Sequence, residues 1–79
     1  MTKEEIFDQL KEMLVDQLGV NEADITMEAS FQDDLDADSL DLVEVIMEME
    51  DKFSVKISDE EAEQIRTVGQ AVDFVADRV

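Results

Sequence analysis

Apolar residues recur at helical spacing in several parts of the chain. The first such segment is preceded by Thr2, which forms a capping box with Glu5, and it is followed by Gly19, a residue typical of helix ends. This pattern predicts a first helix over residues 3–18. Its apolar positions are Ile6, Leu10, Met13, Leu14 and Leu18.

A second helix is predicted over residues 39–53, where the apolar periodicity is strong and Asp38 supplies an N-cap. Residues 20–37, between the two helices, lack sustained periodicity. They keep single apolar anchors at irregular intervals, namely Val20, Ile25, Met27, Phe31 and Leu35. We therefore expect a long loop that is pinned to the core. A connection of this length in a small domain is often functional.

Two more capping boxes follow, Ser58 with Glu61 and Thr67 with Gln70. The first predicts a short third helix that ends near Ile65. The second predicts a fourth helix with apolar positions Val68, Ala71, Val72, Val75 and Val79.

These elements predict an all-α fold: a four-helix bundle with a long first loop and a short third helix. The sequence contains no Pro and no alternating run of β-branched residues that reaches strand length. A chain of 79 residues is the size of one domain, which we expect to span residues 1–79.

The second helix carries two apolar stripes. One falls on a single face and is assigned to the core, and its members are Leu42, Val45, Ile46, Met49 and Phe53. The other runs along roughly the opposite side and consists of Leu40, Val43 and Met47. Acidic residues flank the second stripe: Glu44, Glu48 and Asp51 on one side and Glu50 on the other.

Apolar anchors rimmed by charge are typical of a protein-docking surface. The alternative is that one or two of these apolar residues pack under the long loop, and that the acids only form a solvated face. The stripe begins next to Ser39, the serine in the first turn of this helix, and this position favours the docking surface.

The charge of the chain is one-sided, with 23 acidic and 6 basic residues and a formal net charge of -17. Such a field repels nucleic acids and anionic membranes, and it favours a monomer. The chain has no Cys and no His, which excludes a thiol nucleophile, a zinc site of the usual ligands and an imidazole base. Without these groups we expect no catalysis by the chain itself. Residues 2–5 are charged or polar and no apolar leader follows, so we expect a cytoplasmic protein.

Ser39 falls in the first turn of the second helix, directly after the N-cap Asp38. The positive end of a helix dipole favours an anion, so a phosphate attached to this hydroxyl would be stabilised. A serine after an N-cap is also ordinary helix-start chemistry. Position alone leaves both interpretations open.

The segment 34–44, DLDADSLDLVE, resembles the phosphopantetheine attachment site of the acyl carrier proteins of the bacterial, standalone type. The similarity continues through the segments 29–31, 57–63 and 67–72 and so covers nearly the whole chain. Two positions depart from the family pattern. Asp36 stands where glycine is common, and Ser58 stands where proline often precedes the third helix.

The resemblance implies that a separate transferase attaches the 4′-phosphopantetheine of coenzyme A to Ser39. The terminal thiol of this arm then carries acyl groups as thioesters, most commonly in fatty acid biosynthesis. The implied partners are the phosphopantetheinyl transferase and acyl synthases, reductases, dehydratases and acyltransferases with basic patches. The implied docking residues are Asp38, Leu40, Asp41, Val43, Glu44, Met47, Glu50 and Asp51, to which helix geometry adds Glu48.

Three other functions are compatible with parts of the sequence. A carrier for polyketide, aminoacyl or cell-envelope cargo would have the same fold and site. A calcium-binding protein is suggested by Asp34, Asp36 and Asp38 at EF-hand spacing, but Ser39 replaces the required Gly and Val45 the bidentate Glu, so no metal site is expected. An acidic adaptor would use Ser39 only to start a helix.

Overall fold

The computed structural model describes residues 2–78, which contain four α-helices. The helices are α1 (Lys3–Leu18), α2 (Ser39–Phe53), α3 (Asp59–Gln64) and α4 (Val68–Arg78), and a 3₁₀ turn covers Glu22–Asp24. Regular strands are absent from this part of the chain, which has one isolated bridge between Ser30 and Thr67. The predicted all-α bundle with a long first loop and a short third helix is confirmed. Val79, predicted to extend the apolar stripe of α4, lies outside the described residues.

Capping boxes fix where the helices begin. Thr2, Asp38 and Ser58 each accept a hydrogen bond from the backbone N–H three residues on, and that residue's carboxylate accepts one in return. Thr67 and Gln70 make the same reciprocal pair before α4, at 3.1 and 3.2 Å. The three predicted boxes are confirmed, and Asp38, predicted as an N-cap, forms a fourth box with Asp41. Hydrogen bonds from Thr2 also hold the pKa of the Glu5 carboxyl below its usual range.

The core is formed where α1 packs against α2 and α4. Each of these three helices contributes one buried stripe, whereas α3 has no buried residue. Each large side chain in such a stripe stabilises the fold by about 1.5–3 kcal/mol. The stripe predicted on α2 is confirmed, with Leu42 half-buried at its edge and the other members buried: Val45, Ile46, Met49 and Phe53. Throughout residues 2–78, every helix is too short or too polar to cross a bilayer.

The long loop is pinned by both side chains and backbone. Ile25, Phe31 and Leu35 are buried as predicted. Val20, also predicted as an anchor, is half-buried against the core. Met27, the fifth predicted anchor, is instead 38% exposed and holds the loop through its backbone. Its carbonyl accepts a hydrogen bond of 2.8 Å from the N–H of Gly69 at the start of α4.

Gly69 is required by this close approach. A Cβ atom at position 69 would lie 2.7 Å from the Met27 carbonyl oxygen, which is shorter than van der Waals contact allows. The loop and the first turn of α4 are thus in contact through backbone atoms.

We expect Gly69→Ala to lower the free energy of unfolding by about 1–3 kcal/mol, because the new methyl group must push the loop away from α4. Urea denaturation followed by circular dichroism measures this change. Asp77→Ala, at an exposed site on the same helix, serves as the control and should have a small effect. Equal stability of the two variants would contradict the close contact.

Asp36 adopts a left-handed backbone conformation, with φ of 55°. This explains why glycine suits the position, since glycine reaches positive φ without steric cost. Asp tolerates the region better than most residues, yet some strain remains.

We expect Asp36→Gly to be more stable than Asp36→Ala by about 1 kcal/mol, because only alanine has a Cβ that opposes positive φ. Both substitutions remove the same charge, so their difference isolates the backbone effect. The free energies of unfolding in urea give the comparison. Equal stability of the two variants would contradict the left-handed conformation of residue 36.

Candidate functional site

Ser39 is the first residue of α2, and the capping box of Asp38 with Asp41 positions it. The Asp41 N–H donates to the Asp38 carboxylate at 2.8 Å, and the Asp38 N–H donates back to Asp41 at 3.4 Å. The neighbouring Ser39 takes no part in this cap and is exposed to solvent. Its hydroxyl lies at the positive end of a helix of 15 residues.

The chain leading into Ser39 is held by alternate buried residues. Leu35 and Ala37 are buried, whereas Asp36 and Asp38 are exposed. The Ala37 N–H donates to the Phe31 carbonyl at 2.8 Å, which ties this segment to the rest of the loop. The serine is therefore presented from a fixed turn.

Ser39 borders an open cleft of about 620 Å³ between the loop, α2, the end of α3 and the segment joining α3 to α4. Leu42, Ile46 and Ile65 line it with apolar surface, and Arg66 lines it with a charged group. Clefts of this size accept small organic ligands. An exposed hydroxyl at a helix start beside such a cleft fits the attachment of a phosphopantetheine arm.

The second stripe of α2 faces solvent. Leu40 is 68% exposed, Val43 51% and Met47 59%. The alternative interpretation, that one or two of these side chains pack under the loop, is wrong. The three residues form an apolar line on the surface that starts next to Ser39, and we call it the outer stripe.

The acids around the outer stripe differ in their surroundings. Asp38, Glu44, Glu48 and Asp51 are exposed, whereas Asp41 and Glu50 are half-buried. The Glu50 carboxylate accepts a hydrogen bond of 3.3 Å from the Ile57 N–H and so supports the segment between α2 and α3. Sequence patterns give no signal of this structural role, because the two residues are on different elements.

The acids at EF-hand spacing are also partly engaged. The Asp34 carboxylate accepts a hydrogen bond of 2.7 Å from the Ser30 N–H, and that of Asp38 caps α2. Within residues 2–78, no three acidic side chains are placed to hold a metal ion together. The geometry of these carboxylates is that of a turn and a helix cap.

Arg66 is the cleft residue that sequence reasoning missed. It lies on the segment between α3 and α4, far from Ser39 along the chain, and only folding brings both to one cleft. Local periodicity and capping motifs carry no information about such a pairing.

Comparison with known proteins agrees with this site. The family model for the phosphopantetheine attachment site matches residues 8–75. An acyl carrier protein of Rubrobacter xylanophilus is 56% identical over 77 residues, which cover 98% of this chain and 95% of that protein. An acyl carrier protein of Petrotoga mobilis is 51% identical over 79 residues, which cover 100% of this chain and 93% of that protein.

A solved structure shows the same architecture. The acyl carrier protein of Enterococcus faecalis, whose structural study concerned its high thermal stability, superimposes with a TM-score of 0.84 at 37% identity, covering 100% of both chains. Sequence, attachment-site model and fold agree over nearly the whole length. The chain belongs to the acyl carrier proteins, which are carriers that hold acyl groups on phosphopantetheine and catalyse no reaction themselves.

Proposed function

We propose that Ser39 is the residue that receives the phosphopantetheine arm. The observation that carries the proposal is the state of the four serine hydroxyls. Those of Ser30 and Ser58 accept backbone hydrogen bonds, and Ser54 occupies the left-handed end of α2. Ser39 alone combines exposure with the first turn of a long helix beside a cleft.

The attached arm supplies a thiol that holds acyl groups as thioesters. The chain itself positions the arm: the start of α2 accommodates the phosphate, and the capping box fixes the turn from which Ser39 is exposed. Asp38 and Asp41 are engaged in that box, and the sequence contains no His or Cys. The base that activates the Ser39 hydroxyl therefore comes from the transferase.

The cleft provides a seat for the proximal part of the arm or for the acyl chain. Leu42 and Ile46 of α2 line it together with Ile65, so apolar surface of a chain that enters there would be removed from water. Because the cleft is open, cargo can also leave it for the active site of a partner.

The docking face consists of the outer stripe and its exposed acids. Leu40, Val43 and Met47 provide apolar contact, and Asp38, Glu44, Glu48 and Asp51 steer basic patches toward it. Asp41 and Glu50 complete the set proposed from the sequence, although each also supports the fold. Contacts of this kind are fast, weak and sensitive to salt, as a carrier serving several enzymes requires.

The proposed pathway is fatty acid biosynthesis in the cytoplasm, with residues 1–79 forming one carrier domain. The relatives support the single domain, because this chain spans 95% and 93% of their lengths. The partners would be the phosphopantetheinyl transferase and the synthases, reductases, dehydratases and acyltransferases that act on the thioester. The net charge of -17 supports a monomer and disfavours nucleic acid and membrane surfaces. Other acyl cargo is the second candidate, since the site would be the same.

Incubation with coenzyme A, magnesium and a phosphopantetheinyl transferase should raise the intact mass by one phosphopantetheinyl unit. Ser39→Ala should abolish this gain, because no other serine has the same setting. Ser54→Gly is the matched control, because it removes the hydroxyl of another exposed serine. Ser54 has a positive φ that glycine adopts easily, and this variant should still be modified. A folded wild type that gains no mass would refute the assignment.

The double variant Glu44→Lys with Glu48→Lys should lower kcat/KM of the transferase for this carrier roughly tenfold at low salt, mainly through KM, because both charges lie beside the outer stripe. The difference should shrink as salt screens the charges. Initial rates at a series of carrier concentrations measure it.

Its control reverses two acids with the same spacing on α1, Glu12→Lys with Asp16→Lys, which are also exposed. This control changes the net charge equally and should affect the rate less. Equal losses in both double variants would mean that total charge, and not the face on α2, determines docking.

A further inference from the structure

The cleft beside Ser39 has one basic side chain, that of Arg66, among the described residues that line it. The acids that share the lining are Asp33 and Glu63. In a chain with 6 basic residues and 23 acidic ones, a cation at this place is a distinctive feature.

The backbone of Arg66 is fixed from two sides. Its N–H donates to the Gln70 side chain at 2.7 Å, which belongs to the cap of α4. Its carbonyl accepts a hydrogen bond of 3.0 Å from the Phe31 N–H in the long loop. The Arg66 side chain therefore extends from a backbone that is hydrogen-bonded on both sides, and it is exposed to solvent.

Ion pairs occupy three of the other cations in the part of the chain that the structure describes. Lys3 pairs with Asp73 at 2.8 Å, Lys11 lies 3.7 Å from Glu22, and Arg78 pairs with Glu61. Arg66 has no carboxylate within ion-pair distance among residues 2–78, so its guanidinium can serve another anion.

A phosphodiester at Ser39 would bring that anion into the neighbourhood of the cleft. The helix dipole favours an anion there, but the new charge would lie directly beside Asp38 and Asp41, whose carboxylates repel it. A guanidinium offsets such repulsion well, because its planar N–H groups match the geometry of phosphate oxygens.

We infer that Arg66 is a positioning residue for the arm: its guanidinium pairs with the phosphodiester carried by Ser39 and holds the first part of the arm along the cleft. The inference rests on the proposed attachment at Ser39. The pair of Arg66 with the phosphodiester forms only in the modified protein, so modification couples α2 to the segment between α3 and α4.

The test compares apo and modified forms of the wild type, Arg66→Gln, Arg66→Lys and Lys56→Gln, after intact mass has verified modification. Lys56→Gln removes an exposed cation that does not line the cleft. Thermal unfolding of both forms gives the change in Tm caused by the arm. At low salt this change should be less favourable in Arg66→Gln than in the wild type by about 2–4 °C. Arg66→Lys should fall between them, and Lys56→Gln should match the wild type.

A purely structural role of Arg66 would lower Tm equally in both forms and would cancel in this difference. The phosphorus NMR resonance of the arm gives a second readout, which should shift in Arg66→Gln and not in Lys56→Gln. Equal changes in Tm together with an unshifted resonance would overturn the inference while leaving attachment at Ser39 intact. A folded wild type that gains no mass would overturn both.

Discussion

Backbone hydrogen bonds between the long first loop and the segment that opens α4 hold this molecule in its functional form. Phe31 donates to Arg66, Val68 to Ala29 and Gly69 to Met27, all between 2.8 and 3.0 Å. A loop of this length has a large conformational entropy, and these bonds together with buried Phe31 and Leu35 offset it. Ser39, the cleft and Arg66 all depend on this junction, because it sets the path along which the chain enters α2.

The capping boxes explain why so acidic a chain has such well-defined helices. At Asp38 and Asp41 the acids lie at a helix N-terminus, where the dipole stabilises negative charge and the carboxylates satisfy N–H groups that lack partners. The same arrangement recurs at Ser58 with Glu61. Part of the acidic charge thus stabilises the fold locally, although the total charge opposes compaction. The carboxylates that cap these helices also contribute to the negative electrostatic field of the protein.

Sequence reasoning reached the helices and the exposed stripe because both are encoded locally. The box of Thr2 with Glu5 gave the start of α1 and the N-cap Asp38 gave the start of α2. Periodicity separated the outer stripe from the core face. Met27 was misjudged because an isolated apolar residue in a loop has no periodic context to show which way it points. Glu50 and Arg66 could not be placed because their contacts join distant parts of the chain. The glycine-like turn at Asp36 was visible only as a departure from a family pattern, and its cause is the positive φ.

The few cations are distributed unevenly over the fold, and this bears on how the carrier presents its site. Lys3 joins α1 to α4, and Arg78 joins α4 to α3, so these pairs lie among the supporting helices. The exposed acids beside the outer stripe, Glu44 and Glu48 among them, have no such partners among residues 2–78. Surface ion pairs contribute little stability, so their placement matters more for the field than for the fold. Unpaired acids also remain on the supporting helices, Glu12 and Asp16 of α1 among them, so what sets α2 apart is that its acids flank the exposed outer stripe beside Ser39.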